Sequence, residues 1–388
     1  MHFEVTPTQQ ALYDSARQLG ERICRPTVLQ RDVEARWDPA IWREMGDAGL
    51  LGAPYPEAYG GAGLSCVDTC LLSEGFGEGA SDGGVALAWG AHTILCGVPI
   101  WKLGTETQKQ RYLPKLASGD WVGGFCLSEP DSGSDAAAMK TRAVRRGDRW
   151  ILNGRKMWIT NGPIGDLFVV TAVTAPDARP RAAGISTFLV EKTSPGFRVG
   201  QHIEKTGMRT STTSELVFED CEIPAENLLG MENYGFIITA KLILGWERSC
   251  LLAPALGAMK GTIDRTARYV QERHQFGRPI GKFQAVRHML ADMRIRWELS
   301  RNLIYRVAWQ LDQGDDPPLV DAAIAKVFTS EAAQVNARDA IQLHGGNGFT
   351  LEYHVERGLR DSLVGTIGAG TSEIQRGIIA RSLLNLGL

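Results

Sequence analysis

The chain has 388 residues, enough for two or three domains at about 150 residues each. It is 44% hydrophobic and 22% charged, which excludes a disordered chain. Its 42 basic and 44 acidic side chains leave a formal net charge of −2, without the basic footprint of a nucleic-acid binder.

The N-terminus, Met1-His2-Phe3-Glu4, lacks the basic-then-apolar pattern of a secretory signal, so a cytoplasmic protein is expected. Apolar stretches such as Gly235–Trp246 are broken by Lys241 and fall short of the about 20 residues a bilayer requires, so no membrane span is expected. The seven Cys are scattered with no Cys-x-x-Cys pair, which predicts neither a disulfide framework nor a metal site.

Helices come first in chain order. Thr6-Pro7-Thr8-Gln9 combines a cap, a proline in the first turn and a returning glutamine, and Leu12, Ala16, Leu19 and Ile23 follow at helical spacing. Asp38-Pro39 starts a second helix that Gly49 can end, and Val67–Leu103 reads as a buried helix pair. Thr105-x-x-Gln108 caps another helix, ending near Gly119. From Trp121 to about Asp220 the segments shorten. Strands are predicted at Val122–Leu127, Leu167–Val173, Ile185–Val190 and Glu215–Phe218, with Asn153-Gly154 as a tight hairpin turn between Trp150-Ile151-Leu152 and Lys156–Thr160. Long helices resume over Tyr234–Gln271, Lys282–Gln313, Leu319–Gln342 and Ser372–Leu386, with a break at Asp315–Pro318. The order gives an α+β multidomain chain: helical over 1–120, an antiparallel β domain over 121–232 and a helical bundle over 233–388.

Several motifs carry possible chemistry. Tyr59-Gly60-Gly61-Ala62-Gly63 has no strand before it, so it reads as a loop and not a dinucleotide-binding turn. Gly79-Ala80-Ser81-Asp82-Gly83 fits a nucleophile elbow in letters, but its flanks read as helix where that elbow needs a strand before it. Leu127–Asp135 follows a strand and offers hydroxyl and amide donors for a planar polar ring or a pyrophosphate; an ordinary turn has the same composition. Trp158 and Thr160 alternate onto one face of a strand, where an indole beside a hydroxyl can flank a flat cofactor or simply pair across the sheet. Glu247-Arg248 lies in an apolar helix, either as a structural ion pair or as a buried carboxylate whose raised pKa suits a general base.

Taken together and in order, these pieces resemble the acyl-CoA dehydrogenase family of flavoproteins. The resemblance runs from Pro56-Glu57-x-Tyr59-Gly60-Gly61 through Leu127-Ser128-Glu129-Pro130 with Gly133-Ser134-Asp135, Trp158-Ile159-Thr160-Asn161-Gly162, Arg273-x-x-Phe276-Gly277 and Gln342-x-x-Gly345-Gly346 to Gly370-Thr371-Ser372-Glu373. It implies an N-terminal helical domain, a central β-barrel-like domain, a C-terminal four-helix bundle, FAD as cofactor and a homotetramer. By motif match, Phe125, Leu127, Ser128 and Ser134 would hold the flavin ring edge, with Trp158 and Thr160 on its face. Arg273, Phe276, Gln284, Gln342, Gly345 and Gly346 would reach the pyrophosphate and adenosine of a neighbouring subunit's FAD, and Thr371 and Glu373 would complete the site. Ser134, Arg248, Ala369 and Gly370 would meet the substrate.

One departure is informative. Many members carry the catalytic Glu two residues before the Thr of Gly-Thr-Ser, where this chain has Ala369. A smaller group, isovaleryl-CoA dehydrogenase among them, carries the Glu in a helix just before an Arg, as in Glu247-Arg248. The resemblance thus implies α,β-dehydrogenation of an acyl thioester, with Glu247 as base. Gly245–Leu251, Asp312–Asp315 and Arg360-Asp361-Ser362 also resemble biosynthetic members that act on carrier-bound acyl groups. The expected partners are a thioester on a carrier protein or CoA and an electron acceptor, an electron-transfer flavoprotein or O2. A catabolic acyl-CoA dehydrogenase and a flavin oxidase or monooxygenase are the alternatives.

Overall fold

The computed structural model describes residues 4–314 and 318–386. Asp315, Asp316 and Pro317, part of the expected break, lie outside the described residues.

The first helices are α1 (Pro7–Ile23), α2 (Val28–Val33), α3 (Pro39–Asp47), α4 (Cys66–Ala80), α5 (Gly83–Trp89), α6 (Val98–Leu103) and α7 (Glu106–Ser118). Local signals placed their ends. Thr6 and Gln9 form the capping box of α1, Thr105 and Gln108 that of α7, and Gly119 closes α7 in the left-handed region. The expected helix pair at Val67–Leu103 divides at Ser81, which adopts φ 48°, and continues through a π-helical segment, Gly90–Gly97.

The run Gly83–Leu103 corrects one expectation. It is 21 residues long, and its most apolar 18-residue window has mean hydropathy 1.4, so it is apolar and long enough to cross a membrane by composition. Its most apolar window is 78% buried inside the protein, so it is a core helix, shielded by its neighbours and not by lipid. The elbow-like motif also dissolves here. Gly79 lies within a helix, and a Cβ there would collide with the Arg17 carbonyl, so this glycine permits close α1–α4 packing.

The strands are β1 (Gly123–Cys126), β2 (Arg142–Arg146), β3 (Arg149–Thr160), β4 (Leu167–Val173), β5 (Ile185–Glu191), β6 (Phe197–His202), β7 (Thr213–Pro224) and β8 (Leu228–Leu229). They form one sheet in the order β6-β7-β3-β2-β4-β5-β8, with β1 added on β4. Most pairs are antiparallel; β1–β4 and β2–β4 are parallel. Strand β4 is buried on both faces. Leu167 and Val169 join the core of the N-terminal helices, while Phe168 and Val170 join the core within the sheet.

The Asn153-Gly154 hairpin does not form. Both residues lie within the continuous strand β3, at a bulge against β7. Gly154 has φ 152° and presses on Thr141, while Asn153 hydrogen-bonds Asp220 across the bulge. The chain reverses earlier, at Gly147-Asp148 between β2 and β3. Asn-Gly serves a bulge as well as a turn because both need a glycine where the ladder is interrupted.

The last region comprises α8 (Gly235–Trp246), α9 (Ala253–Glu272), the short strands β9 (His274–Gln275) and β10 (Arg278–Pro279), α10 (Gln284–Asp312), α11 (Leu319–His344), α12 (Val355–Ser362) and α13 (Ser372–Leu383). The expected helix Tyr234–Gln271 is interrupted by a π-helical turn, Glu247–Leu251, just before Pro254. Trp246, Cys250 and Leu256 share one core with the N-terminal helices.

Candidate active site

The sequence motifs fall into three places. The first is the loop after β1 and the end of β3. Lys156 Nζ donates to the Leu127 carbonyl and to Glu129 Oε1, both at 2.9 Å. Glu129 also accepts from the amides of Lys140 (2.6 Å) and Thr141 (3.0 Å), and the Met157 amide donates to the Ser128 carbonyl (2.9 Å). Burial pushes the Glu129 carboxyl up, but Lys156 and these hydrogen bonds outweigh it and hold the group below its ordinary range. The buried pair therefore fixes the loop bearing Leu127 and Ser128 onto the strand bearing Trp158 and Thr160.

That framework leaves the Trp158 indole open to solvent. Trp158 has φ 59° and is 53% exposed, at a register irregularity between Lys156 and Ile159. Phe125 on β1, Leu127 and Ser128 on the loop after it and Thr160 at the end of β3 are half-buried, and Ser134 lies exposed on the loop. The Ser128 and Ser134 hydroxyls have no protein hydrogen bond among the described residues, so they are free to donate to a ligand. A strained backbone presenting an indole to solvent is a feature typical of ligand sites.

The second place is a cleft of about 520 Å³ that gathers Arg273, Phe276, Gln342, Gly345 and Gly346. Gln284, at the start of α10, is not among its lining residues. Phe276 turns the β9–β10 hairpin at φ 53° and is 92% exposed. A Cβ at Gly345 or Gly346 would meet nothing within 4 Å, so bare backbone faces open space. No carboxylate lies within 4.0 Å of Arg273 among the described residues. The sequence reading missed Tyr269, which stacks on His344 (centroids 4.2 Å apart) and takes a hydrogen bond from Asn347 at 3.0 Å, forming a wall of this cleft.

The third place surrounds Glu247, in the π-helical turn after α8. Its side chain and that of Arg248 are buried, and no cation lies within 4.0 Å of its carboxylate among the described residues. Burial pushes the Glu247 carboxyl above its ordinary range, against the weaker pull of Arg248 and Lys326. The Arg248 Nε and Nη1 atoms are buried without a partner. Helix α11, which packs on this turn, also holds the Ala369-Gly370 loop. Lys326, buried in α11, donates to the Gly370 carbonyl (2.7 Å), and Gln375 Nε2 donates to the carbonyls of Ala369 (2.9 Å) and Gly370 (3.1 Å). Ala369 adopts φ 57°, and its amide has no backbone partner among the described residues. Thr371 caps α13, and Glu373 sits exposed in that helix's first turn. Burial and Arg248 push the Lys326 amine down to about 8, while Glu247 and Glu373 pull the other way. Lys326 was not singled out from the sequence; its signal is a lone lysine among the buried Ala322, Ala323, Ala325 and Thr329. Ser134 makes no contact with Glu247 or the Ala369 loop among the described hydrogen bonds.

The donor set fits FAD. Free hydroxyls beside an open indole suit the flavin ring, and a glycine-walled cleft with an unpaired arginine suits a pyrophosphate.

Comparison with known proteins agrees over almost the whole chain. Residues 6–120, 124–221 and 233–384 match the N-terminal, middle and C-terminal domains of acyl-CoA dehydrogenase. The mitochondrial isovaleryl-CoA dehydrogenase of Pongo abelii is 42% identical over 88% of this chain and 80% of its own. The L-prolyl-[peptidyl-carrier protein] dehydrogenase of Pseudomonas fluorescens is 40% identical over 88% of this chain and 89% of its own. The solved structure of PigA with FAD and proline superposes with a TM-score of 0.96, at 34% identity and full coverage of both chains. The fold, the ordered motifs and these relatives make this chain a member of the acyl-CoA dehydrogenase family, an FAD-dependent oxidoreductase acting on CH–CH bonds.

Proposed function

We propose that the enzyme introduces an α,β-double bond into an acyl thioester, with Glu247 as the base. The observation that carries this reading is Glu247 itself: a buried carboxylate without an ion pair among the described residues, in a turn packed on the helix that also holds the loop with the free Ala369 amide. A thioester carbonyl acidifies its α C–H, and a carboxylate raised by burial removes that proton more effectively than an exposed one. The Ala369 amide donates to the carbonyl oxygen as charge develops there. Lys326 and Gln375 pin the loop's carbonyls and so aim that amide. Bound FAD supplies the acceptor for the β hydride. Ser134 and Arg248 complete the substrate side.

The acyl group is delivered by a carrier protein or CoA within a biosynthetic route, and the electrons leave to an electron-transfer flavoprotein or O2. One experiment tests the reading: anaerobic mixing of the FAD-loaded enzyme with matched CoA and carrier thioesters. Bleaching by at least one thioester is expected, fastest on the carrier-bound form. Equal or faster bleaching by the CoA ester indicates the catabolic alternative; bleaching by none overturns the reading.

The pH profile should follow the local charges. The base works deprotonated, so the acid limb of flavin reduction should lie above the ordinary glutamate value of about 4.3. Lys326 favours the charged Glu247, so Lys326→Met should move that limb further up. An unchanged limb, read by stopped-flow across pH, would show that Lys326 does not act on the base.

The two cofactor regions are reconciled by oligomerisation. The glycine-walled cleft shares no lining residue with the Trp158 surface, and in a homotetramer it serves a neighbouring subunit's FAD. Arg273→Ala removes the charged partner of a pyrophosphate and should weaken FAD retention, measured by flavin released on gel filtration. A monomer holding full FAD would contradict the assignment.

A further inference from the structure

Three cysteines far apart in sequence meet beside the turn that carries Glu247. Cys66 and Cys70 lie one helical turn apart on α4, and Cys250 lies in the Glu247–Leu251 turn. All three are fully buried. Their sulfurs lie within 4.8 Å of one another, with Cys66–Cys250 at 3.5 Å and Cys70–Cys250 at 3.6 Å. The Ser249 hydroxyl is 3.5 Å from Cys66 Sγ. The other cysteines, Cys24, Cys96, Cys126 and Cys221, have no such grouping among the described residues.

We propose that Cys66, Cys70 and Cys250 form a three-thiolate site for one zinc-class divalent cation, with the Ser249 hydroxyl toward its fourth position. Zinc–sulfur bonds of about 2.3 Å in a tetrahedron place sulfurs about 3.8 Å apart, close to the spacing already present. Little rearrangement is required, because two ligands share one helix face and the third comes from the turn packed on it. Three thiolates and a divalent cation leave one net negative charge. The amino end of the 15-residue α4 offsets it, and the Lys102 amine is near enough to feel Cys66. Asp312, which accepts from the Cys66 and Val67 amides, opposes it. Thiolates are ligands of choice for this class of ion, and the surroundings exclude competing water. An ion here would tie α4 to the Glu247 turn. This inference rests on the cysteine geometry and is independent of the proposed reaction.

The test uses FAD-loaded enzyme, stripped with a chelator under anaerobic conditions and titrated with Cd2+ as a spectroscopic probe. Wild type and Cys221→Ser should each develop a cadmium–thiolate charge-transfer band saturating at one ion per chain. Cys70→Ser and, separately, Cys66→Ser should bind at least about a hundredfold more weakly, since losing a ligand exceeds the usual effect of losing an outer-shell partner. Zn2+ should raise the melting temperature of wild type and of Cys221→Ser, but not of the ligand variants, because an ion that binds only the folded state stabilises it. Flavin absorbance confirms folding of each variant, and either serine variant that retains FAD suffices. No thiolate band in folded wild type, or an undiminished one in a folded ligand variant, overturns the proposal and leaves the cysteines as small apolar packing.

Discussion

Glu247→Gln is expected to slow anaerobic flavin reduction by roughly 10²–10⁴-fold or more, the usual cost of losing a positioned base. The substitution keeps size and most hydrogen bonding but cannot accept the α proton. FAD content should stay at the wild-type level, since nothing in the open Trp158 surface or the glycine-walled cleft changes. Stability supplies a second readout. Burial raises the folded-state pKa of Glu247 above its unfolded value. The group therefore favours folding most at low pH, and that contribution is lost as pH rises through the folded value. The glutamine variant should accordingly match wild type in acid or fall below it, and gain on it toward neutral pH. Wild-type reduction rates in Glu247→Gln would place the base elsewhere.

The second large effect is structural. Lys156→Met should destabilise the protein by about 3–5 kcal/mol, because it leaves Glu129 buried without its cation. The loop carrying Leu127 and Ser128 loses its anchor at the same time, so FAD should be retained more weakly. Glu129 has its pKa held below the ordinary value, so its stabilising contribution is present above the unfolded pKa and lost as pH falls through the folded one. The difference between wild type and Lys156→Met should therefore narrow in acid. Adding Glu129→Gln to Lys156→Met should recover part of the loss, since no charge is then left buried alone. Thermal melts of the three proteins across pH measure all of this, and equal melting temperatures at neutral pH would show that the pair does not hold the loop.

Much of the fold was legible because it is encoded locally. Capping boxes at Thr6 and Thr105, the Asp38-Pro39 start and the β-branched runs at Leu167 and Ile185 depend on neighbours a few residues away. Asn153-Gly154 failed as a turn because turn and bulge share the same dipeptide, and β7 pairs along both sides of it. The exposed strand β6 was missed: Phe197–His202 lies half-buried or exposed along its length and carries little apolar alternation. The sequence shows Val67–Leu103 as one buried helix pair, but its division at Ser81 and the π-helical turn at Gly90–Gly97 carry no sequence signal of their own.

The same division holds at the site. The sequence by itself determined the family and the motif order, and it motivates the proposal that Glu247 takes the role a Glu at Ala369 would fill, because each is read from a short string of residue types. Only the tertiary structure decided which distant groups meet. Lys326 reaches Gly370 across 44 positions, Glu129 is buried against Lys156 across 27, and Cys250 lies 184 positions from Cys66. Such contacts leave no periodic trace in the chain. They exist because helices and strands pack face to face, and burial then turns ordinary lysines, carboxylates and thiols into groups whose charge depends on one another.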